Sequence, residues 1–268
     1  MKKLITIGLA SITLAMASCS TVPLTGRSRL SLIDDSKLQQ QAAIGYAQLL
    51  SDPKTKVVST NSTQTQMIKR VGSRIAAAVT KYMNDNGFAD QIASYKWEFN
   101  LIESPEINAW CMPGGKVAVY TGILPITKDE AGLATVMGHE VAHAIAQHSA
   151  ERASQMTIAQ GVGTAVGVGT SNSKYADYIN AAYGVAGQLT ILSYGRKQEL
   201  EADKMGLSFM AMAGYNPSTA VGFWQRMASA SEGSSKPPTW LSTHPTDDAR
   251  IAQIQRDLPE AMKYYKGK

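Results

Sequence analysis

The sequence predicts an α+β fold that is mainly helical, with a small β-sheet directly before a central helix. Several segments repeat apolar residues at intervals of three and four, most clearly residues 63–82, and this spacing is typical of amphipathic helices. Residues 95–101 alternate strictly between polar and apolar, which indicates a half-buried strand. The chain has 268 residues, of which 44% are apolar and 18% charged, so it can bury a sizeable core.

The other elements follow in chain order, and together they make a single domain over residues 35–260. We expect a polar tether over 19–34 before this domain and a basic tail over 261–268 after it. The predicted helices are 36–50, 63–82, 127–149, 195–212, one that begins at 216, and 246–258; the predicted strands are 95–101, 107–112 and 116–121.

Two stretches in the second half of the chain carry no charged residue, namely 153–173 and 178–194. Such stretches can indicate contact with a membrane. These are dotted with Gln, Thr, Ser and Asn and hold little Leu or Phe, so we favour buried helices instead. Residues 229–238 are rich in Ser, Gly and Pro and indicate a linker or a mobile loop.

Residues 1–18 have the pattern of a bacterial lipoprotein signal peptide. Two lysines precede a short apolar run, and the sequence Met-Ala-Ser-Cys that ends at Cys19 resembles a lipobox, with cleavage before Cys19 and lipid on its sulfur. The run is too short for a good spanning helix, and an ordinary cleaved signal is the alternative. Ser20 after the cysteine resembles the signal for the outer membrane. We therefore expect a lipid-anchored protein that faces the periplasm, with Cys19 holding it on the membrane.

The composition argues against nucleic-acid binding and against an intrachain disulfide. The net charge of +5 falls to +3 without the two lysines of the signal, and no cluster of Lys and Arg is interleaved with aromatic residues. Nucleic acid is therefore not an expected partner. Only two cysteines exist, so an acylated Cys19 leaves Cys111 without an intrachain partner, and we expect Cys111 to be a small buried hydrophobe.

The central helix carries the sequence His139-Glu140-Val141-Ala142-His143. Thr127 and Glu130 have the spacing of a capping box and place the start of the helix. The two histidines are four residues apart, so both imidazoles project from one face and can reach one metal ion. Glu140 lies beside them and can reach a water on that metal. A core helix with two incidental histidines is the alternative, but a buried glutamate without a partner would be costly.

A catalytic zinc ion takes three protein ligands and keeps one position open, so a third ligand is needed. His148 lies five residues after His143, about 140° round the helix, and should face away. His244 is a candidate, although it lies beside a loop and a proline. The best candidates are Glu199 and Asp203, which share one helical face and offer one carboxylate for the metal and one for an imidazole.

The two spaced motifs together resemble the gluzincin metallopeptidases. Within them, the chain resembles the branch of the CAAX prenyl proteases, HtpX, the mitochondrial Oma-type proteases and the periplasmic BepA/LoiP lipoproteins. Residues 108–110, 113–115, 120–122 and 243–245 resemble further motifs of that branch, and the resemblance runs from about residue 95 to 256. Because no repeat array follows residue 260, the chain resembles the compact members, and a mainly helical, zincin-like metalloprotease domain is expected.

The resemblance implies a role for each motif residue. Glu199 would be the third ligand of one zinc ion, beside His139 and His143, and Asp203 would hold a zinc-bound imidazole. Glu140 would act as the general base on a zinc-bound water.

We also predict the environment of Glu201 and the role of the strand that precedes the central helix. Glu201 should be a solvated surface carboxylate, because it points away from the face of Glu199. The strand that holds Asn108, Ala109 and Trp110 would pair with the substrate backbone by strand addition, which suits unfolded polypeptides.

The resemblance also implies that His244 lies close to the zinc ion, where it has two candidate roles. It could donate a hydrogen bond to the oxyanion, or it could be a fourth ligand that closes the site at rest. We favour a movable His244 that closes the site. The alternative is a surface histidine with no role at the zinc ion.

The predicted function is that of a zinc endopeptidase acting on unfolded or misassembled proteins of the bacterial cell envelope. A possible partner is the outer-membrane assembly machinery. The main alternative is a non-proteolytic envelope chaperone or assembly factor that retains the fold. A structural zinc module is disfavoured, because structural sites prefer closed, cysteine-rich ligand sets.

Overall fold

The computed structural model describes residues 19–159, 175, 177–178, 194–230, 238–245 and 248–267. The predicted signal peptide and most of the stretch between 153 and 194 lie outside the described residues, as does most of the predicted loop over 229–238. The predictions made for those segments therefore stay predictions.

The described residues form ten helices and five short strands. The helices are α1 (Asp35–Ser51), α2 (Thr63–Asp85), α3 (Ala89–Ile92), α4 (Leu124–Thr127), α5 (Glu130–Ile145), α6 (His148–Ala159), α7 (Arg196–Met212), α8 (Thr219–Ser229), α9 (Thr239–Thr243) and α10 (Asp248–Met262). The strands are β1 (Cys19–Thr21), β2 (Ser28–Leu30), β3 (Glu98–Ile102), β4 (Ala109–Met112) and β5 (Lys116–Tyr120). The predicted α+β class, mainly helical with a small sheet before the central helix, is confirmed.

The three strands before the central helix form one sheet in the order β3-β5-β4. Strand β5 lies in the middle, parallel to β3 and antiparallel to β4, with Ala109 opposite Val119. The turn between β4 and β5 requires glycine, because Gly114 and Gly115 have φ angles of +84° and +83°. A Cβ atom on Gly115 would also lie only 2.7 Å from the ring of Trp97.

Helix α5 is the centre of the core, and every residue from Gly132 to Ile145 is buried. It packs against β4 and α2 as well as against α7. The contact with α7 is a near-backbone approach: a Cβ atom on Gly138 would lie 2.8 Å from the Gly206 oxygen, and one on Gly206 would lie 2.8 Å from the His139 nitrogen. The two glycines therefore let the axes of these helices come together, which places the side chains of α7 beside those of α5.

Both ends of the central helix differ from the prediction. Asp129, not Thr127, caps the start, because its carboxylate accepts a hydrogen bond from the Gly132 N–H at 2.8 Å. Thr127 belongs instead to the short helix α4. At the other end the helix stops at Ile145, and Gln147 takes a left-handed φ of +55° before α6 begins. The predicted single helix over 127–149 is therefore wrong at both ends.

The segment predicted as a tether packs onto the domain. Strands β1 and β2 pair antiparallel as a hairpin, with Cys19 opposite Leu30. Val22 is 1% exposed and Arg29 is 4% exposed, so part of this hairpin belongs to the core. Cys19 is exposed, whereas Cys111 is buried as predicted.

Among the helices described, none combines the length and the apolar character that a membrane crossing requires.

Candidate metal centre

Four buried side chains meet where α5, α7 and the end of α9 come together. His139 and His143 come from α5, Glu199 from the first turn of α7, and His244 from the residue that follows α9. One ligand atom from each of these four residues lies within 4.8 Å of the others. The structure thus brings together the three predicted ligands and the histidine whose role the sequence left open.

The distances inside this cluster are short. The two Nε2 atoms of His139 and His143 are 3.0 Å apart, and Nδ1 of His244 lies 3.2 Å from Nε2 of His139. The Glu199 carboxylate lies 3.0 Å from Nδ1 of His244 and 3.4 Å from Nε2 of His143. Three ring nitrogens and one carboxylate that converge in this way are a ligand set that zinc prefers, so the residues present fit a zinc ion.

Burial and neighbouring charges shift the pKa values of the cluster residues in different directions. Burial disfavours the charged form of Glu199, yet the neighbouring imidazoles, His244 foremost, hold its pKa well below the usual value. Burial also lowers the pKa of His143 well below the usual value, and so keeps that imidazole in the neutral form that binds metals. For His139, Asp203 and Glu199 outweigh burial and raise the pKa to about 9.

Asp203 lies behind His139. Its Oδ1 is 2.9 Å from Nδ1 of His139, which is the ring nitrogen that points away from the cluster. Asp203 itself accepts two hydrogen bonds from the guanidinium of Arg250, at 2.7 and 2.9 Å. The same guanidinium lies 2.9 Å from Glu199 and stacks 3.9 Å over the ring of Trp224. A carboxylate in this position fixes the orientation of the imidazole in front of it.

Sequence reasoning missed Arg250, although it connects Asp203 and Glu199. Its only signal lay in the amphipathic pattern of α10, where Arg250 shares the buried face with Ile254, four residues on. A charged residue on a core-facing position indicates a buried partner.

Glu140 lies beside the cluster but is not one of its four members. The Trp240 indole N–H donates a hydrogen bond of 2.7 Å to its Oε1, and Nε2 of His244 lies 3.5 Å from the same oxygen. Burial raises the pKa of this carboxyl group. A carboxylate held against a metal-binding cluster, with a raised proton affinity, can take up and release a proton. Sequence reasoning also missed Trp240, which orients this carboxylate.

Two expectations on the far side of the cluster are wrong. His148 does not face away: its Nδ1 lies 2.8 Å from Nδ1 of His143, because the helix ends at Ile145 and the chain turns back. Glu201 is not a solvated surface residue but only 9% exposed. It contacts His148 at 3.0 Å, because the N-terminal hairpin covers the face of α7 that the sequence left to solvent.

The predicted substrate strand is the edge strand β4. The Asn108 carbonyl accepts a hydrogen bond from the Tyr120 N–H at 3.0 Å, so by the antiparallel alternation the backbone groups of Ala109 point away from β5. Just before this strand, the Ile107 carbonyl accepts from the Trp240 N–H at 3.1 Å. The Trp110 ring packs edge-on against Tyr46 at 5.8 Å, inside the core. The backbone groups of Ala109 thus point away from β5, but this residue is only 1% exposed, and the Trp110 side chain belongs to the core.

The fold and this cluster define a metallopeptidase of the His-Glu-x-x-His class, as the sequence predicts. The profile of Peptidase family M48 matches residues 63–257. The chain therefore belongs to peptidase family M48.

Curated relatives agree with this assignment. The chain is 32% identical over 241 residues to the mitochondrial metalloendopeptidase OMA1 of Schizosaccharomyces pombe, covering 90% of this chain and 67% of that protein. It is 28% identical over 265 residues to the OMA1 metalloendopeptidase of Homo sapiens, covering 96% of this chain and 49% of that protein. It is 29% identical over 207 residues to the beta-barrel assembly-enhancing protease of Yersinia pestis, covering 74% and 40% respectively. The chain thus spans between two fifths and two thirds of the length of these relatives.

Proposed function

We propose that this protein is a zinc-dependent endopeptidase in which Glu140 is the general base. The observation that carries the proposal is the placement of the buried Glu140 carboxylate directly beside the cluster of His139, His143, Glu199 and His244. Structural zinc sites have no use for a proton-accepting group at this place, whereas peptide hydrolysis requires one.

The residues of the chain divide the work as follows. A bound zinc ion would act as a Lewis acid on the scissile carbonyl and on the attacking water. Glu140 accepts the proton of that water and passes it to the leaving nitrogen. The Trp240 indole holds one carboxylate oxygen of Glu140, so that the base keeps its position through the cycle. Asp203 holds the His139 ring and thereby the direction of its Nε2 atom.

His244 is the residue that would regulate access. A catalytic zinc site keeps one position open, but here four protein groups converge on one point. We therefore propose that His244 closes the site at rest as a fourth ligand and moves when substrate binds. The position supports this reading, because His244 belongs to no helix and its Nδ1 faces His139 and Glu199.

The proposed substrates are unfolded or misassembled polypeptides of the bacterial cell envelope. Strand β4 is an edge strand on which the backbone groups of Ala109 point away from β5, and strand addition there would take an extended chain, which a folded protein rarely offers. A relative is named as a protease that enhances beta-barrel assembly, which fits the outer-membrane assembly machinery as a partner.

The proposed location follows from the start of the chain. Residues 1–18 would be removed as a signal peptide, and the exposed Cys19 would carry the lipid that holds the domain over 35–260 at the outer membrane. Cys19→Ser should abolish labelling by a lipid precursor. If the unlabelled protein still pelleted with membranes, the anchor would lie elsewhere in the chain.

Digestion of an unfolded protein such as casein tests the proposed chemistry. The parent should cleave it, a chelator should stop cleavage, and Glu140→Gln should lower the rate by at least ~10²-fold while zinc content stays unchanged. Near-normal cleavage by Glu140→Gln would contradict the mechanism. A parent that prevents aggregation of the substrate without cutting it would favour the non-proteolytic alternative.

The same assay separates the two roles of His244. His244→Ala should raise the cleavage rate if His244 closes the site, and should lower it about a hundredfold if His244 is an oxyanion donor. An unchanged rate would assign it neither role.

A further inference from the structure

The second ring nitrogen of His143 begins a chain of polar contacts that leads to the N-terminal hairpin. His143 directs Nε2 to the metal cluster, and its Nδ1 lies 2.8 Å from Nδ1 of His148. Nε2 of His148 lies 3.0 Å from Oε2 of Glu201. That same oxygen accepts a hydrogen bond of 2.7 Å from Nε of Arg27. His148 and Glu201 are 0% and 9% exposed, so these contacts are shielded from water.

The chemistry of the two imidazoles fixes the direction of this chain. A neutral histidine that offers Nε2 to a metal carries its proton on Nδ1, so His143 must donate from that atom. His148 then accepts on Nδ1 and carries its own proton on Nε2, which it donates to Glu201. The carboxylate of Glu201 ends the chain, because it can only accept.

We propose that His148 and Glu201 are positioning residues for the metal ligand His143, in the way that Asp203 is for His139. This inference rests on the proposed function, because it takes His143 as a zinc ligand. A metal-binding histidine needs a partner on its second nitrogen to set its tautomer and ring orientation. Here the partner is a second imidazole, itself set by a carboxylate.

The N-terminal hairpin completes this arrangement. Thr25 donates a hydrogen bond of 2.6 Å to Oε1 of Glu201, so that both carboxylate oxygens are held from the hairpin. Arg27 also makes two hydrogen bonds to Glu151, at 2.7 and 2.9 Å, and Gln198 donates to Glu151 at 2.8 Å. The Arg27 guanidinium is therefore held by both Glu151 and Glu201. The segment predicted as a tether thus contributes residues that support the zinc site.

Zinc affinity, measured by competition with a chromophoric chelator, tests the proposal without reference to proteolysis. His148→Leu removes the acceptor with little change in volume and should weaken zinc binding about 10- to 100-fold. His148→Gln should restore most of the affinity, because its amide can accept from His143 and donate to Glu201. A role in packing alone would give the opposite order, since Leu fills an apolar pocket better than Gln.

A double-mutant cycle tests whether Glu201 acts through His148. Glu201→Leu should weaken zinc binding in the parent but add little in the His148→Leu background. The matched control is Glu151→Gln, which alters an equally buried partner of Arg27 that makes no hydrogen bond to His148, and it should weaken zinc binding less than Glu201→Leu does.

The outcomes separate this inference from the proposed function. Unchanged zinc affinity in His148→Leu, or a loss in His148→Gln as large as in His148→Leu, overturns the inference while a zinc-binding parent leaves the proposed function intact. If His148→Leu does not fold, Glu201→Leu and the Glu151→Gln control decide the question. A parent that binds no zinc overturns both proposals together.

Discussion

The two imidazoles of the central helix are supported from opposite ends of the chain. Behind His139 stands a carboxylate, Asp203, which is held by Arg250 from the last helix described. Behind His143 stands another imidazole, His148, and the carboxylate of Glu201 comes only after it, held by Arg27 from the N-terminal hairpin. In both cases a metal-binding histidine is followed by a carboxylate and then an arginine. On the His143 side, the imidazole of His148 is inserted between the histidine and the carboxylate.

The additional ring changes the electrostatics of the two ligands. With an anion 2.9 Å away, His139 has a pKa raised to about 9. With a neutral ring in that place and burial dominant, His143 has a pKa lowered well below the usual value. Direct contact with a carboxylate makes a ligand more basic, whereas a relayed contact orients the ring with little added charge. The difference teaches that two equivalent-looking histidines of one motif can differ in basicity.

The largest expected effect comes from the ligand that both halves share. Glu199→Ala removes the only carboxylate of the cluster, which lies within 3.5 Å of both imidazoles. We expect zinc binding to be lost, and elemental analysis of the purified variant measures this. Retained zinc would mean that the two histidines and His244 suffice to bind the ion, and Glu199 would not be a ligand that the two sides share.

The next effect concerns the arginine behind His139. Arg250 is 3% exposed and joins Asp203 and Glu199, so Arg250→Ala leaves two buried carboxylates without their shared guanidinium. The free energy of unfolding should fall by about 3–5 kcal/mol, which urea unfolding of the zinc-free protein measures. A fall of under 1 kcal/mol would show that the His139 side does not depend on this ion pair.

A smaller effect separates charge from position on the same side. Asp203→Asn keeps the shape of the side chain but removes the negative charge beside His139. We expect zinc affinity to weaken about 10- to 100-fold, as is typical when the partner of a metal-binding histidine is altered. The chelator competition assay measures it. If Asp203→Asn matched the parent, position alone would matter, and the two sides would be electrostatically equivalent.

The smallest effect is expected at the far end of the His143 side. The Arg27 side chain is 33% exposed and is separated from His143 by two side chains. Arg27→Ala should cost about 1 kcal/mol in the free energy of unfolding and lower zinc affinity less than Asp203→Asn does. An effect as large as that of Arg250→Ala would make the two ends of the chain equal contributors to the site.

The sequence predicts the parts of the site that follow from local spacing. His139 and His143 are four apart on one helix, as are Glu199 and Asp203, and both pairs lie where these spacings place them. The same rule failed for His148, because it assumed that the helix continues past Gln147, whose left-handed φ ends it. Spacing describes one element at a time, so it cannot indicate where an element stops.

The environments of Glu201 and Asp129 could not be predicted from the sequence for a different reason. Whether Glu201 is buried depends on which segment covers the second face of α7, and that segment lies more than 170 residues earlier in the chain. The cap at Asp129 was missed because Thr127 and Glu130 offered a better local pattern, but the short helix α4 had already used Thr127. A tertiary contact overrode local preference at Glu201, and a neighbouring helix did so at Thr127.

The supports at Arg27 and Arg250 also determine when the site can exist. Its groups are drawn from almost the whole described length of the chain, and the contact between Arg27 and Glu201 alone closes a loop of 174 residues. Contacts of such long range form late in folding, because closing a long loop loses chain entropy before the contacts can stabilise the fold. A chain that is still being synthesised therefore has the metal-binding motif but lacks its supports. The assembled hydrolytic centre appears only once the protein has folded.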